Sequence, residues 1–299
     1  MFSLPPQIFI NGLIAGSLYA MIALGLSLSY GILKFVNFAH AEMATLGAYI
    51  FLMLEILGIQ IPLLSAVMTI IIVGFLGIIL QKLTFKPIRK AASHTPMLAS
   101  IGVAIALQQI VNLFGGSQIR TLNRDFMESY TFWNDRIFIT NLQIIIITCS
   151  IFFMLALFAI LKYTRTGKAI RAVADNSEAA AIAGINPEKI ISIIFFMASA
   201  LGAVAGILIG YQQNLSPYMG TALIVKAFTA VIIGGIGNIP GAIIGGYLLG
   251  ILENLAIGMT INGFSVPASY KDAVTFVLLI LVLLLRPSGL FGSGSEREA

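Results

Sequence analysis

Between Ile144 and Leu161 the chain reads IIIITCSIFFMLALFAIL, a long run without one charged residue, and comparable runs recur along its length. A helix needs about 20 such residues to cross a hydrocarbon layer roughly 30 Å thick. In lipid every backbone polar group must be paired internally, so runs of this length predict helices. They fall near residues 7–33, 35–54, 61–81, 97–115, 139–161, 190–211, 222–237, 240–258 and 273–285. That is enough for eight or nine spans, the count depending on whether 222–258 holds a turn or a re-entrant break. The composition agrees: 59% apolar and 10% charged residues stand against about 45–50% and about 25% in an ordinary soluble domain. A soluble enzyme and a disordered protein are both excluded. The expectation is an all-α polytopic bundle, with residues 1–299 forming one transmembrane domain.

Charge sets the predicted orientation. The sequence holds 17 Lys and Arg against 12 Asp and Glu, a net charge of +5. Such a surplus in a soluble protein raises the question of nucleic acid, but no nucleic-acid partner is expected here, because the positive-inside rule accounts for it. Two loops are strongly basic: 82–96, with Lys82, Lys86, Arg89 and Lys90, and 162–189, with Lys162, Arg165, Lys168, Arg171 and Lys189. Both are predicted to face the cytoplasm. The loop 116–138 balances Arg120, Arg124 and Arg136 with Asp125, Glu128 and Asp135 and carries Trp133, which suits an outer interface. Counting spans from these points puts the N-terminus outside and the tail, with Arg286 and Arg297, inside. Lys34 is then inside, Lys271 outside, and Lys226 within a span.

Several chemistries are absent. The N-terminal stretch has no basic residue before its apolar run, so it reads as a retained first span rather than a signal peptide. Cys149, the lone cysteine, cannot form an intrachain disulfide and is expected to be a buried, inert thiol. No P-loop, HExxH, GxSxG or CxxC pattern occurs, and His40 and His94 stand apart from other metal ligands. No catalytic residue, metal site or cofactor is therefore expected. Small residues at four-residue spacing are plentiful: Gly12 and Gly16, Gly206 and Gly210, Gly237 with Gly241 and Gly245, and Gly246 with Gly250. That spacing lets helix backbones approach closely in lipid.

Three constellations remain. In NFAHAEMATLGAY, residues 37–49, a helix would place Asn37 and His40 on one face and Glu42 about 200° from His40. The two ionisable groups then cannot pair. Either they line or gate a pathway, or they fix helix packing through hydrogen bonds. Lys226 and Glu253 sit at equal counts from a turn placed at 239–240, at similar depth, and can form an ion pair, line a pathway, or snorkel separately. In SEAAAIAGINPEK, residues 177–189, Ser177 or Asn176 can cap a short helix, and Glu178 lies in its first turn. Gly184 can end that helix in a left-handed conformation, and Asn186-Pro187 can start the next. Such an alanine-rich helix is suited to entering another protein's groove, or is an ordinary amphipathic connector.

The strings INGLIAGSLYAMIALGLSLSYGI, VNFAHAEMATLGAY, GKAIRAVADNSEAAAIAGIN and KAFTAVIIGGIGNIPGAIIGGYLLGILEN closely resemble the permease subunits of bacterial ABC importers of the leucine/isoleucine/valine type. Glu178, Ala179, Ala180 and Gly184 fit the family's EAA-x-x-x-G loop, and the resemblance implies that this loop contacts an ATP-binding subunit. It departs from the pattern at Ala41, where relatives have Gly in NFAHGE, and at Asn238, where Ser is common. The resemblance implies an inner-membrane importer with a second permease, two cytoplasmic ATP-binding subunits and an extracytoplasmic substrate-binding protein. Its substrates would be branched-chain amino acids or other amino acids, amides or urea. The competing class is a stand-alone ion-coupled transporter or channel using His40, Glu42, Lys226 and Glu253 as ion or proton sites. A membrane enzyme built on His40 and Glu42 is opposed by their helical spacing.

Overall fold

A computed structural model describes residues 6–59, 61–89, 91, 94–122, 128–132, 137–258, 260–261 and 264–292. Lys90, Arg124, Asp125, Trp133, Asp135, Arg136 and Arg297, on which part of the charge reading rests, lie outside them.

The chain is mostly helical. In order come α1 (Pro6–Leu33), α2 (His40–Ile56), α3 (Pro62–Leu80), a π turn (Gln81–Phe85), α4 (Lys86–Ile88), α5 (His94–Gly115), α6 (Asn141–Tyr163), α7 (Arg165–Asp175), α8 (Ser177–Ile182), α9 (Pro187–Gln212), α10 (Met219–Gly234), α11 (Ile239–Gly258) and α12 (Lys271–Leu285). Six of these are long and apolar enough to cross a membrane: α1, α3 with its continuation to Ile88, α5, α6, α9 and α11. Helices α2, α10 and α12 have 17, 16 and 15 residues, or about 22–26 Å at roughly 1.5 Å per residue.

The helix ends follow local chemistry. Thr140 and Gln143 close a reciprocal capping box on α6, with bonds of 3.3 and 3.0 Å. Pro62 and Pro187 open α3 and α9, where a missing N–H costs nothing. The π turn widens the helix just ahead of Pro87, which has no N–H to give the preceding turn.

Helix α1 is the axis of the bundle. Every residue from Gly16 to Ser29 is buried, so this helix has no polar face to keep. It packs on α11, α9, α10 and α6. The small-residue spacing does what the sequence implies: an added Cβ at Gly250 would strike the backbone of Gly16, and one at Gly246 the backbone of Ala20. Gly206 meets Ala44 in the same way where α9 crosses α2. Such contact supplies the dispersion attraction that replaces hydrophobic association in lipid. Around this core α3, α5, α6 and α12 turn apolar faces outward, with Leu63, Ile105, Phe152 and Leu284 among the exposed side chains.

Two short hairpins accompany the mostly helical bundle: β1 (Ser129–Phe132) pairs antiparallel with β2 (Ile137–Thr140), and β3 (Thr260–Ile261) with β4 (Phe264–Ser265). β-Branched and aromatic residues dominate the first pair, as a pleated surface favours. Several expectations need correction. Gly237 is not part of a packing seam. With Gly235 it takes positive φ, +82° and +105°, in the α10–α11 turn, which lies at 235–238 rather than 239–240. Cys149 is only half-buried.

Candidate functional site

The polar groups of the bundle collect in three places. The first is the start of α2. Lys34, at φ +58°, turns the chain back after α1, and the residues up to Ala39 run non-helically before α2 begins at His40. The expected helix over 35–54 thus loses its first turn. Asn37 is a turn residue rather than a face of α2: its Oδ1 accepts the Ala39 N–H at 3.1 Å. The His40 imidazole packs on Gly25, eight residues before the end of α1. That sinks the N-terminus of α2 about 12 Å along α1, at roughly 1.5 Å per residue.

His40 and Glu42 diverge, as their spacing predicts. His40 is buried between α1 and α9 in a narrow cleft lined also by Ser29, Asn37 and Ser199. Glu42, 3% exposed, lies against Gly220 at the start of α10, where an added Cβ would strike its carboxylate. Neither His40 Nε2 nor Glu42 Oε2 has a hydrogen-bond partner.

The second place is an ion cluster. Lys226 Nζ lies 2.9 Å from Glu253 Oε1 and 3.2 Å from Asp272 Oδ1. It also donates to the Tyr19 hydroxyl at 3.1 Å and sits 5.1 Å from the centre of that ring. Lys226 and Glu253 do meet, though by a different register from the equal-count argument. Gly245 packs on Ala230 and Gly241 on Gly234, so Lys226 is level with Leu249 and its long side chain climbs one turn to Glu253. Charges at such depth are paired because an isolated one would be costly. Tyr19 and Asp272 went unseen in the sequence, since nothing local signals a contact between α1, α10 and α12.

The third place is the basic end of the molecule. Asn176, not Ser177, caps α8: its Oδ1 accepts the N–H groups of Glu178 and Ala179, each at 3.0 Å. Gly184 follows at φ +83° with open space around its Cα, so the backbone rather than crowding demands glycine. Asn186 Oδ1 then caps α9 at 3.2 Å from the Lys189 N–H. Glu178 and Ala179 are exposed, but Ala180 turns inward onto the cluster of Val173, Ile190 and Ile194. The apolar residue that α8 holds out is Ile182, 89% exposed, which six helical residues are too few to reveal by periodicity. Beside this hook Lys86 pairs with Glu188 at 2.8 Å, tying α4 to the first turn of α9.

Long apolar helices, buried polar groups between them and a capped helical hook at the basic end define a polytopic membrane transport permease. The chain belongs to the family described as "Branched-chain amino acid transport system / permease component", whose profile matches residues 8–283. It is 36% identical to the high-affinity branched-chain amino acid transport system permease protein LivH of Escherichia coli, over 96% of this chain and 95% of that protein. To the corresponding protein BraD of Pseudomonas aeruginosa it is also 36% identical, with the same coverage of 96% and 95%. Among solved structures it resembles PsaBC from Streptococcus pneumoniae, in complex with Fab, at a TM-score of 0.51 and 12% identity, over 94% of this chain and 92% of that one. That likeness speaks for the fold alone.

Proposed function

We propose that this chain translocates branched-chain amino acids, or related small polar solutes such as other amino acids, amides or urea, across the bacterial inner membrane. It does so as one permease of an ATP-driven importer and performs no covalent chemistry. A second permease, two cytoplasmic ATP-binding subunits and an extracytoplasmic substrate-binding protein complete the assembly. Residues 1–299 act as one domain with eight or nine spans, the N-terminus outside and the C-terminus and the loop 162–189 in the cytoplasm.

The observation that carries this reading is the α8 hook. It is capped at one end by Asn176 and closed at the other by Gly184. It leads directly into α9, which packs on α1, α2 and α3. A push on Glu178, Ala179 and Ile182 from an ATP-binding subunit therefore travels into the helices around His40 and Glu42. Ala180 anchors the hook from behind.

Reconstitution of the five-component system in proteoliposomes tests the reading. Leucine uptake that requires external binding protein and internal ATP is expected. Uptake by this chain without ATP-binding subunits would instead establish a stand-alone transporter.

A further inference from the structure

Among the described residues, eight buried side-chain polar atoms lack any hydrogen-bond partner, and four of them belong to one seam: Glu42 Oε2, Thr45 Oγ1, Tyr49 OH and Asn112 Oδ1. Glu42, Thr45 and Tyr49 are spaced three and four residues apart, on one face of α2. Asn112 is on α5, which runs parallel to α2. The Phe38 N–H donates to Ser100 Oγ at 3.1 Å at one end, and the Tyr49 ring packs on Gly115 at the other. That register sets Gln108 beside Glu42, and Asn112 between Thr45 and Tyr49. A burial this deep normally leaves polar atoms paired, because an orphaned acceptor loses its hydration for nothing. Four orphaned oxygens in line point to an occupant.

The surroundings define its chemistry. Glu42 Oε2 and Asn112 Oδ1 can only accept, whereas the Thr45 and Tyr49 hydroxyls can also donate and the Thr45 side chain interacts with the Glu42 carboxylate. A partner that donates hydrogen bonds and carries positive charge suits the two pure acceptors. The seam is also not sealed against lipid. Its outer wall is a hydrogen bond of 2.9 Å from Gln108 Nε2 to Thr221 Oγ1, and Thr221 is itself exposed. Gln108 and Gln109 lie in the second half of α5 and Thr221 in the first turn of α10; amide groups within a membrane helix face a cavity or another subunit rather than acyl chains. Gly220 is what lets the carboxylate lie against α10, since any Cβ there would strike it.

We infer that Glu42, Thr45 and Asn112 form an intramembrane station for the ammonium group of the transported amino acid, reached through the Gln108–Thr221 wall between α5 and α10. Tyr49 extends the row of oxygens towards the end of α2 nearer Arg120. The station supplies the hydration that the ammonium loses on leaving water, while the apolar side chain of the substrate remains in the pathway. This rests on the amino-acid importer reading above.

The test uses the complete reconstituted importer. Wild-type uptake of leucine is measured first; if no amine-bearing solute is carried, the importer reading fails and the station with it. Given wild-type uptake, Glu42→Gln and Asn112→Leu should each lower leucine uptake about tenfold or more, the scale of losing a hydrogen bond to a charged group. ATP hydrolysis stimulated by loaded binding protein should persist, and Glu42→Asp should recover part of the uptake. Dicyclohexylcarbodiimide modification of wild-type Glu42, read by mass spectrometry, should slow during leucine turnover but not during ATP hydrolysis without substrate. Undiminished uptake by Glu42→Gln, labelling indifferent to leucine, or uptake that depends on sodium would each overturn the station. So would joint loss of uptake and ATP hydrolysis in Glu42→Gln with no protection of the wild type, which is what a packing role produces.

Discussion

Lys226 Nζ reaches Glu253 Oε1 at 2.9 Å although the packing of α10 on α11 places the two residues a helical turn apart. The lysine stem spans that turn, and Tyr19 and Asp272 take up its remaining donors. One cation thereby joins α1, α10, α11 and α12. Breaking such a pair strands the partner, and Glu253 is fully buried while Lys226 is 12% exposed.

Lys226→Met should therefore destabilise the protein by about 3–5 kcal/mol, the cost of leaving a buried charge uncompensated. The double variant Lys226→Met with Glu253→Leu should recover most of that loss. Thermal unfolding of the detergent-solubilised protein reads both. A double variant no more stable than Lys226→Met would mean that the pair has a role beyond neutralising itself.

The glycine seams make a second contrast. An added methyl at Gly206 has no room against the Ala44 backbone, whereas at Gly102, on the outward face of α5, nothing lies within 4 Å. Gly206→Ala should cost about 1–3 kcal/mol as overpacking. Gly102→Ala should be neutral or stabilising by up to about 1 kcal/mol, since a helical glycine is replaced at no steric expense. Equal effects at the two positions would contradict the helix crossing described for α2 and α9.

How far the sequence carried depends on what each feature rests on. The long apolar helices were legible because about 20 residues without charge have few other fates. The capping of α8 and α9 was legible because Asn, Pro and Gly act within a few residues of themselves. The sunken start of α2 was hidden: hydropathy reads VNFAHAEMATLGAY as continuous, and the break shows only in the turn at Lys34 and the contact of His40 with Gly25. Tyr19 and Asp272 were invisible for a similar reason, since their meeting with Lys226 is set by helix packing. The orphaned seam joins α2 to Asn112 on α5, so a reading of α2 alone finds Glu42, Thr45 and Tyr49 on one face and misses Asn112.

Orientation is open to a direct check. Ser129 lies in the β1–β2 hairpin and Ser177 in the first turn of α8. Single cysteines there, with Cys149 replaced by Ser, should react with a membrane-impermeant maleimide from opposite sides of intact and permeabilised cells. Labelling of both from one side would reverse the assignment of one loop.

Coupling gives the last prediction. Gly184 has φ +83° and open space around it, so the fault in Gly184→Val is one of backbone conformation rather than collision. β-Branched residues tolerate that region badly, while Asn enters it readily. Gly184→Val should therefore abolish both uptake and substrate-stimulated ATP hydrolysis while the permease still inserts and keeps its partner permease, and Gly184→Asn should retain most activity. Ile182→Asp should reproduce the Val defect without altering the backbone, because it puts a charge on the most exposed apolar side chain of α8. Glu178→Lys should weaken coupling by opposing the dipole at the N-terminus of α8. Normal uptake in both Gly184→Val and Ile182→Asp would move the coupling surface elsewhere, with the basic segment from Lys82 to Arg89 the next place to look.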